Sequence, residues 1–333
     1  MATVYTGSVD ALILSASRRG NIPDAQMTYL TPDFLAMIDE ELMAYAMPVL
    51  HARRDDYYLE ELMFNLATPD VYIGSESPSM IRHPAWRLPE YAMASTVRDV
   101  QGVSPSGTFY NLGRVMADDV PNMIAQGWYF YGNYLVYQCN TVSSTAPPVA
   151  IRCIVHVKPN RMVNVDAVMT EYTGEITQLG VVARVISVTS PTNFQVNKTI
   201  NANFGGDPTG RIDVISGTPG YEVKNRFIEV NPILSTDSVS LPVAPPVPIA
   251  IGDWISPPGF SPMIPLPLEM HALLAQRVVV KFLEAQGEAS QLEQARNSLE
   301  EMAKQIPLLI QPRAEGKPKK LAPRLGLWRR WRW

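Results

Sequence analysis

Cysteine is almost missing from this chain: Cys139 and Cys153 are the only two in 333 residues. Two thiols cannot build the disulfide framework of a small secreted domain, so free thiols in a reducing compartment are expected, with one cross-strand bridge as the alternative. Long apolar runs are missing too. Nothing approaches the roughly 18 apolar residues of a membrane span, and the first residues lack the basic-then-apolar order of a secretory signal, so a soluble intracellular product without a membrane partner is expected. Histidine is scarce, and His51, His83, His156 and His271 are scattered, so a metal cluster would need the fold to gather them. Reactive motifs are missing as well: there is no G-x-S-x-G, no G-x-x-x-x-G-K-[ST], no H-E-x-x-H and no C-x-x-C. The run Gly205-Gly206-Asp207-Pro208-Thr209-Gly210 reads as a loop between strands before it reads as an anion cradle. Asp118 and Asp119, ahead of Val120-Pro121, read as helix caps before they read as an acid pair. The chain is therefore expected not to be an enzyme, and no catalytic, cofactor-binding or metal-ligating residue is assigned.

Proline, by contrast, is plentiful at 29 residues. That is above the usual level of about 5% and favours extended, interrupted segments over an all-helical fold. Charge is uneven. Residues 312–333 carry eight Lys and Arg against Glu315 alone, a net of +7, which leaves −11 for the remainder of a chain whose total is −4. The basic residues are Arg313, Lys317, Lys319, Lys320, Arg324, Arg329, Arg330 and Arg332, and the last three alternate with Trp328, Trp331 and Trp333. An acidic body with a basic, aromatic end points to two different partners.

The strongest periodic signal lies at 266–310. Met270, Leu273, Leu274, Val278, Phe282 and Leu283 repeat at helical spacing. Gly287 is placed to end that helix, and Ser290 with Glu293 makes an S-x-x-E capping box for a second. In that second helix Leu292, Ala295, Leu299, Met302 and Ile306 form a narrow apolar stripe, which reads as intramolecular core. An earlier helix starts at Thr31-Pro32-Asp33 and offers Phe34, Leu35, Ile38, Leu42 and Met43 as its buried face, with Pro48 expected to kink or end it. The expected architecture is α+β: a helical bundle formed by the N- and C-terminal segments, with an inserted β-rich domain, barrel- or sandwich-like, and an extended tail. The boundaries read as an arm over 1–30, helical parts over 31–67 and 262–310, the β-rich domain over 68–261 and the tail over 311–333.

Within the middle, a hairpin is expected around Ser104-Pro105-Ser106-Gly107 and another around Ser190-Pro191-Thr192-Asn193. The stretches 128–138 and 149–157 read as strands, 212–215 and 221–230 continue the β text, and 242–248 is too rich in proline for a central strand. Such a domain could be an OB-like module for single-stranded nucleic acid or a glycan. Its basic residues are sparse, however: Arg184, Lys198, Arg211, Lys224 and Arg226 over 176–230.

The order of certain pieces carries a resemblance. These are the helix beginning Thr31-Pro32-Asp33-Phe34-Leu35, then Asp55-Asp56-Tyr57-Tyr58, Trp86-Arg87-Leu88-Pro89-Glu90, Val97-Arg98-Asp99-Val100-Gln101 and Leu112-Gly113-Arg114-Val115. Further on come Arg161-Met162, Gly252-Asp253-Trp254, Ser261-Pro262-Met263-Ile264-Pro265-Leu266-Pro267, Glu269-Met270-His271 and the closing Ile310-Gln311-Pro312-Arg313. Over nearly its whole length the chain resembles a group of tailed-bacteriophage structural proteins that occupy the head-to-tail junction. The Trp-rich ending departs from that pattern. The resemblance implies a virion protein, assembled in the host cytoplasm, that forms a closed ring of about twelve copies beneath the portal. Such a ring joins the portal to tail or nozzle proteins and lines the channel for double-stranded DNA without binding it specifically. An acidic body suits that passage, because like charge keeps phosphates from sticking. The tail would dock on the portal, since Arg and Trp are the residue types enriched at interface hot spots.

Overall fold

The computed structural model describes residues 6–22, 31–52, 57–73, 83–115, 126–138, 147–165, 182–200, 210–231 and 236–310. The short helix expected near 118–126, the acid pair, Cys139, nearly all of the glycine loop and the whole basic tail lie outside them.

Two β-sheets enclose the first core. One runs β1 (Leu59–Asn65), β9 (Ala150–Val157), β4 (Ala92–Val103), β5 (Phe109–Asn111) in spatial order, with every pair antiparallel. The other runs β2 (Val71–Ile73), β3 (His83–Arg87), β8 (Tyr134–Gln138), β7 (Gly127–Tyr131), β6 (Gly113–Arg114). Strand alternation sends Trp86, Val100, Trp128, Leu135, Tyr137, Ile151, Cys153 and Val155 into one shared cluster. The stretch 128–138 is a hairpin and not one strand, because Gly132 turns the chain at φ 58° between Tyr131 and its partner Tyr134. Burial, and less so Asp99, pushes the Cys153 thiol up to about 12, so it behaves as a small apolar side chain.

A second β body is a six-stranded sheet. Its order is β14 (Val223–Val230), β13 (Gly210–Ile215), β16 (Trp254–Ser256), β11 (Ala183–Ser190), β12 (Asn193–Ile200), β15 (Thr236–Ser240). Val185, Phe194, Ile212, Val214, Val239 and Ile255 make its core. A short parallel pair, β10 (Arg161–Met162) and β17 (Phe260–Ser261), connects this body to the helices.

The helices gather around α4 (Leu268–Gln286), which ends at Gly287 with φ 76°, its N–H donating to the carbonyls of Leu283 and Glu284. Helix α5 (Ala289–Leu309) folds back on α4 at once. Its start at Ala289 puts Ser290 inside the helix, so the expected capping box does not form. Helix α1 (Val9–Arg19) lies within the stretch read as an arm, and its Val9, Leu12 and Ala16 are buried in the same cluster as α4. Helix α2 (Thr31–Glu41) continues through a π-helical turn, Leu42–Ala46, into α3 (Met47–His51). The cause is Pro48, which has no N–H and whose ring crowds the carbonyl four residues earlier. The turn widens just ahead of it, and Met47 N–H donates to the Leu42 carbonyl, five residues back.

A helical bundle carrying an inserted β-rich domain is not what this chain builds, and that expectation is corrected. The protein is mostly β, with 39% of the described residues in strands. Strand β1 falls within the segment assigned to helix, and Ser8 forms a β-bridge with Met263, so terminal segments enter β structure directly. Helix α4 is sheathed on most of its circumference: Met270, Leu274, Ala275, Val279, Val280 and Phe282 are all buried, far more than one stripe. Asp10 of α1 accepts from Val165 N–H and Asp39 of α2 from Met162 N–H, which tie helices to the β structure. Periodicity identified α2, α4 and α5, missed α1 and overstated the helical share of the molecule.

Candidate functional site

The ten side chains expected to form a helical core do share one cluster. Phe34, Ile38, Leu42, Leu273, Leu274, Phe282 and Leu299 are buried there, with Leu35, Leu292 and Met302 packed against it. Phe34 stacks on Phe282 at 5.8 Å. These are structural contacts with no reactive group among them. The basic and aromatic residues of the tail lie outside the described residues.

What sequence reading missed is the seam between the two β bodies. Here β1, β14 and the turns beside them close a cleft of about 620 Å³. Arg226, almost wholly buried, forms an ion pair with Glu60 at 3.2 Å, lies 4.8 Å over the Tyr91 ring and donates to Asn160. Tyr91 donates to the other Glu60 oxygen at 3.0 Å. Asn160 donates to Asp213 at 2.8 Å, and Asp213 also accepts from the backbone N–H of Phe227 and of Gly259. Burial raises the Asp213 carboxyl above the usual carboxylate range even though these donors and Arg226 pull it down. Phe227 sits at φ 53°, a costly conformation for a bulky residue, which aims its N–H at Asp213 while its ring stacks on Tyr91. On the far wall Lys224 bonds both oxygens of buried Asp253, which in turn accepts from Gly217 and Ala250 N–H.

Chemically, this arrangement fixes geometry. Each of these charged groups already has a protein partner, and the Tyr91 hydroxyl is held on Glu60, which is itself paired with Arg226. The five basic residues of the OB-like reading are likewise engaged within the chain. Arg184 approaches the Gly252 carbonyl and the Trp254 ring, Lys198 bonds the Val165 carbonyl and Arg211 pairs with Glu229. Lys224 and Arg226 are spent in the seam.

Pro246 and Val247 line the cleft and belong to the stretch 241–251, whose text Leu-Pro-Val-Ala-Pro-Pro-Val-Pro-Ile-Ala-Ile holds no charge. Leu241 and Ile249 are buried anchors at its two ends. Asn225 clamps the middle, accepting from Val247 N–H at 3.0 Å and donating to the Val247 carbonyl at 2.8 Å. Between the anchors the strap faces outward: Val243 is 72% exposed, and Ile251 just beyond is 70% exposed. Met63, Tyr72, Phe109 and Tyr131 are among the exposed large side chains of the first β body.

Two of the scattered histidines do meet. His51, at the end of α3, and His156, on β9, have ring centroids 4.5 Å apart. His51 Nε2 is buried without a hydrogen-bond partner, and burial, then His156, lowers its pKa. Tyr58 lies beside them at φ 57°, its hydroxyl donating to the Pro265 carbonyl, and it packs against both the helical and the two-sheet clusters. Among the described residues no group of three or more His, Cys, Asp or Glu is placed to hold a metal, and no helix is long and apolar enough to cross a membrane. Comparison with models of known protein families finds no match, and neither does comparison with curated proteins.

Proposed function

We propose that this chain is a structural virion protein, a head-to-tail adaptor that forms a ring of about twelve copies beneath the portal and joins it to tail or nozzle proteins. The observation that carries the reading is the contrast between a seam whose charges are all paired internally and an exterior that displays Met63, Tyr72, Phe109, Tyr131, Val243 and Ile251. Exposed apolar side chains mark a surface covered by other proteins where they gather into one patch, and this reading gives them that role in the ring. The resemblance read from the sequence supplies the kind of assembly. In this reading double-stranded DNA passes through the ring without specific contacts, because the body is acidic. The basic, tryptophan-bearing tail docks on the portal, where Arg and Trp side chains make strong interface anchors.

Negative-stain imaging of the purified protein, alone and with emptied heads, tests this directly. Rings on the head vertex are expected. Deleting residues 322–333 is expected to leave solubility and fold unchanged while co-sedimentation with heads is lost. A chain that stays monomeric and ignores heads would remove the proposal.

A further inference from the structure

We infer that two surfaces of this chain fit each other across copies: the proline strap 241–251 of one copy seats on the tyrosine face of β7 and β8 of the next. The strap is the knob. Pro242, Pro245, Pro246 and Pro248 remove backbone donors and fix φ, which keeps the stretch from pairing as a central strand. Leu241, Ile249 and the Asn225 clamp on Val247 hold it from below. Above these anchors Pro242, Val243, Ala244, Pro246, Pro248 and Ile251 are exposed, with no polar side chain among them. The tyrosine face is the socket. Strand alternation sends Trp128, Phe130, Leu135 and Tyr137 into the two-sheet core and turns Tyr129, Tyr131, Tyr134 and Val136 to the opposite face. Tyr131 and Tyr134 stand directly across the hairpin from each other, and Tyr131 is 61% exposed. Burial, then Tyr131, raises the Tyr129 phenol above its usual range, so these two hydroxyls are neighbours.

Chemistry matches the two surfaces. Proline rings stack on aromatic faces in recognition by aromatic-lined grooves, and tyrosine hydroxyls donate to the carbonyls of a backbone that has lost its own donors. Charge favours the same match. The chain carries a net −11 outside residues 312–333, so copies repel over most of their surface and approach at lowest cost where both faces are uncharged. The strap holds no charge, and Arg87, beside Tyr134 on β3, is already paired with Glu90 at 3.3 Å. Position names the occupant. Strap and tyrosine face sit on different β bodies and both are exposed, so neither covers the other within one copy. A knob and a socket at separate places on one molecule make a head-to-tail contact, which becomes a ring when the rotation between copies closes. The inference rests on the adaptor reading for that ring and names the contact that repeats around it.

The test uses the full-length chain without heads. With Val243 replaced by the photo-cross-linker p-benzoylphenylalanine, ultraviolet light is expected to join it to the peptide carrying Tyr131 and Tyr134 of another copy. Mixing heavy-nitrogen and ordinary chains before illumination identifies such links by their mixed isotopes. Val243→Lys and Tyr131→Lys change side chains that already face water, so melting is expected to be unchanged, while each alone weakens self-association in sedimentation by about tenfold or more. Mixed in equal amounts, the two variants are expected to form a dimer and stop: the intact strap of one meets the intact face of the other, and both damaged surfaces point outward. A wild-type chain that stays monomeric overturns the inference. So do variants that assemble as wild type does, cross-links confined to one copy or to other surfaces, and a mixture that yields no dimer. The two readings fail separately: rings that carry the expected cross-link and ignore heads sink the adaptor reading alone, whereas head-bound rings that survive both substitutions sink only this inference.

Discussion

The helical layer and the seam are both buried, both join distant parts of the chain, and are held by opposite kinds of force. Around α4 the contacts are apolar and tolerant of direction: what matters is that Leu273, Leu274, Val278 and Phe282 leave water and fill space. In the seam each partner has one correct place. Arg226 needs Glu60 and Asn160, and Asp213 needs Asn160, Phe227 N–H and Gly259 N–H. A non-directional core can be repacked, whereas a directional network either closes or leaves buried donors unmet. The layer should therefore lose stability in proportion to volume removed, and the seam in proportion to bonds broken.

The largest effects should come from the layer. Phe282→Ala removes a ring that stacks on Phe34 and is expected to cost about 3–5 kcal/mol in urea unfolding. Leu274→Met, which conserves volume at a position equally buried, should cost under about 1.5 kcal/mol. If both substitutions cost the same, volume is not what governs this layer.

The seam should respond next and differently. Asp213→Ala strands three donors in a buried site and is expected to cost about 3 kcal/mol or more. Asp213→Leu restores bulk without restoring acceptors and should do no better, the reverse of the behaviour expected around α4. Rescue of stability by leucine would erase the distinction between the two regions.

This same distinction explains what could be read in advance. The positions of α4 repeat every three or four residues, so its buried face was visible in the text. So were the β4–β5 and β11–β12 hairpins, because their turns carry Ser-Pro-Ser-Gly and Ser-Pro-Thr-Asn. Helix α1 was not, since Ile13 and Leu14 sit beside the buried Val9, Leu12 and Ala16 and blur the single apolar face that a helical period would show. The Gly132-Asn133 turn that splits β7 from β8 was a legible signal overlooked inside an apolar run. The fold class failed because a strong helical period in one stretch says nothing about how much of the remainder pairs as sheet. The seam was beyond reach for a different reason. Residues 60, 91, 160, 213 and 226 share no period and no motif, and only folding brings them together. Nor does spacing reveal that His51 and His156 meet.

The smallest effect sits where the two regions touch, and it is a matter of pH. Asp39 of α2 accepts from Met162 N–H at 2.8 Å, and burial, opposed by that bond and by Arg161, raises its carboxyl to about 6. A carboxyl raised in the folded state binds its proton there before it does in the unfolded chain, so between about pH 6 and pH 4 this group adds stability as the pH falls. His51 works the other way. Its pKa is lowered in the folded state by burial and by His156, so folding loses stability as the pH drops below the ordinary histidine range of about 6.5. In the wild type the two slopes partly cancel over the same window. Asp39→Asn keeps an acceptor for Met162 N–H but cannot titrate, so it should expose the histidine slope alone. Relative to wild type, the variant is expected to gain at pH 7, where the desolvated carboxylate is gone, and to lose that advantage by pH 4.5. The difference should be on the order of 1 kcal/mol, because Asp39 is only partly buried and water screens it. Urea unfolding of both proteins at pH 4.5, 5.5 and 7 measures it, and parallel curves would show that the Asp39 carboxyl titrates at its ordinary value.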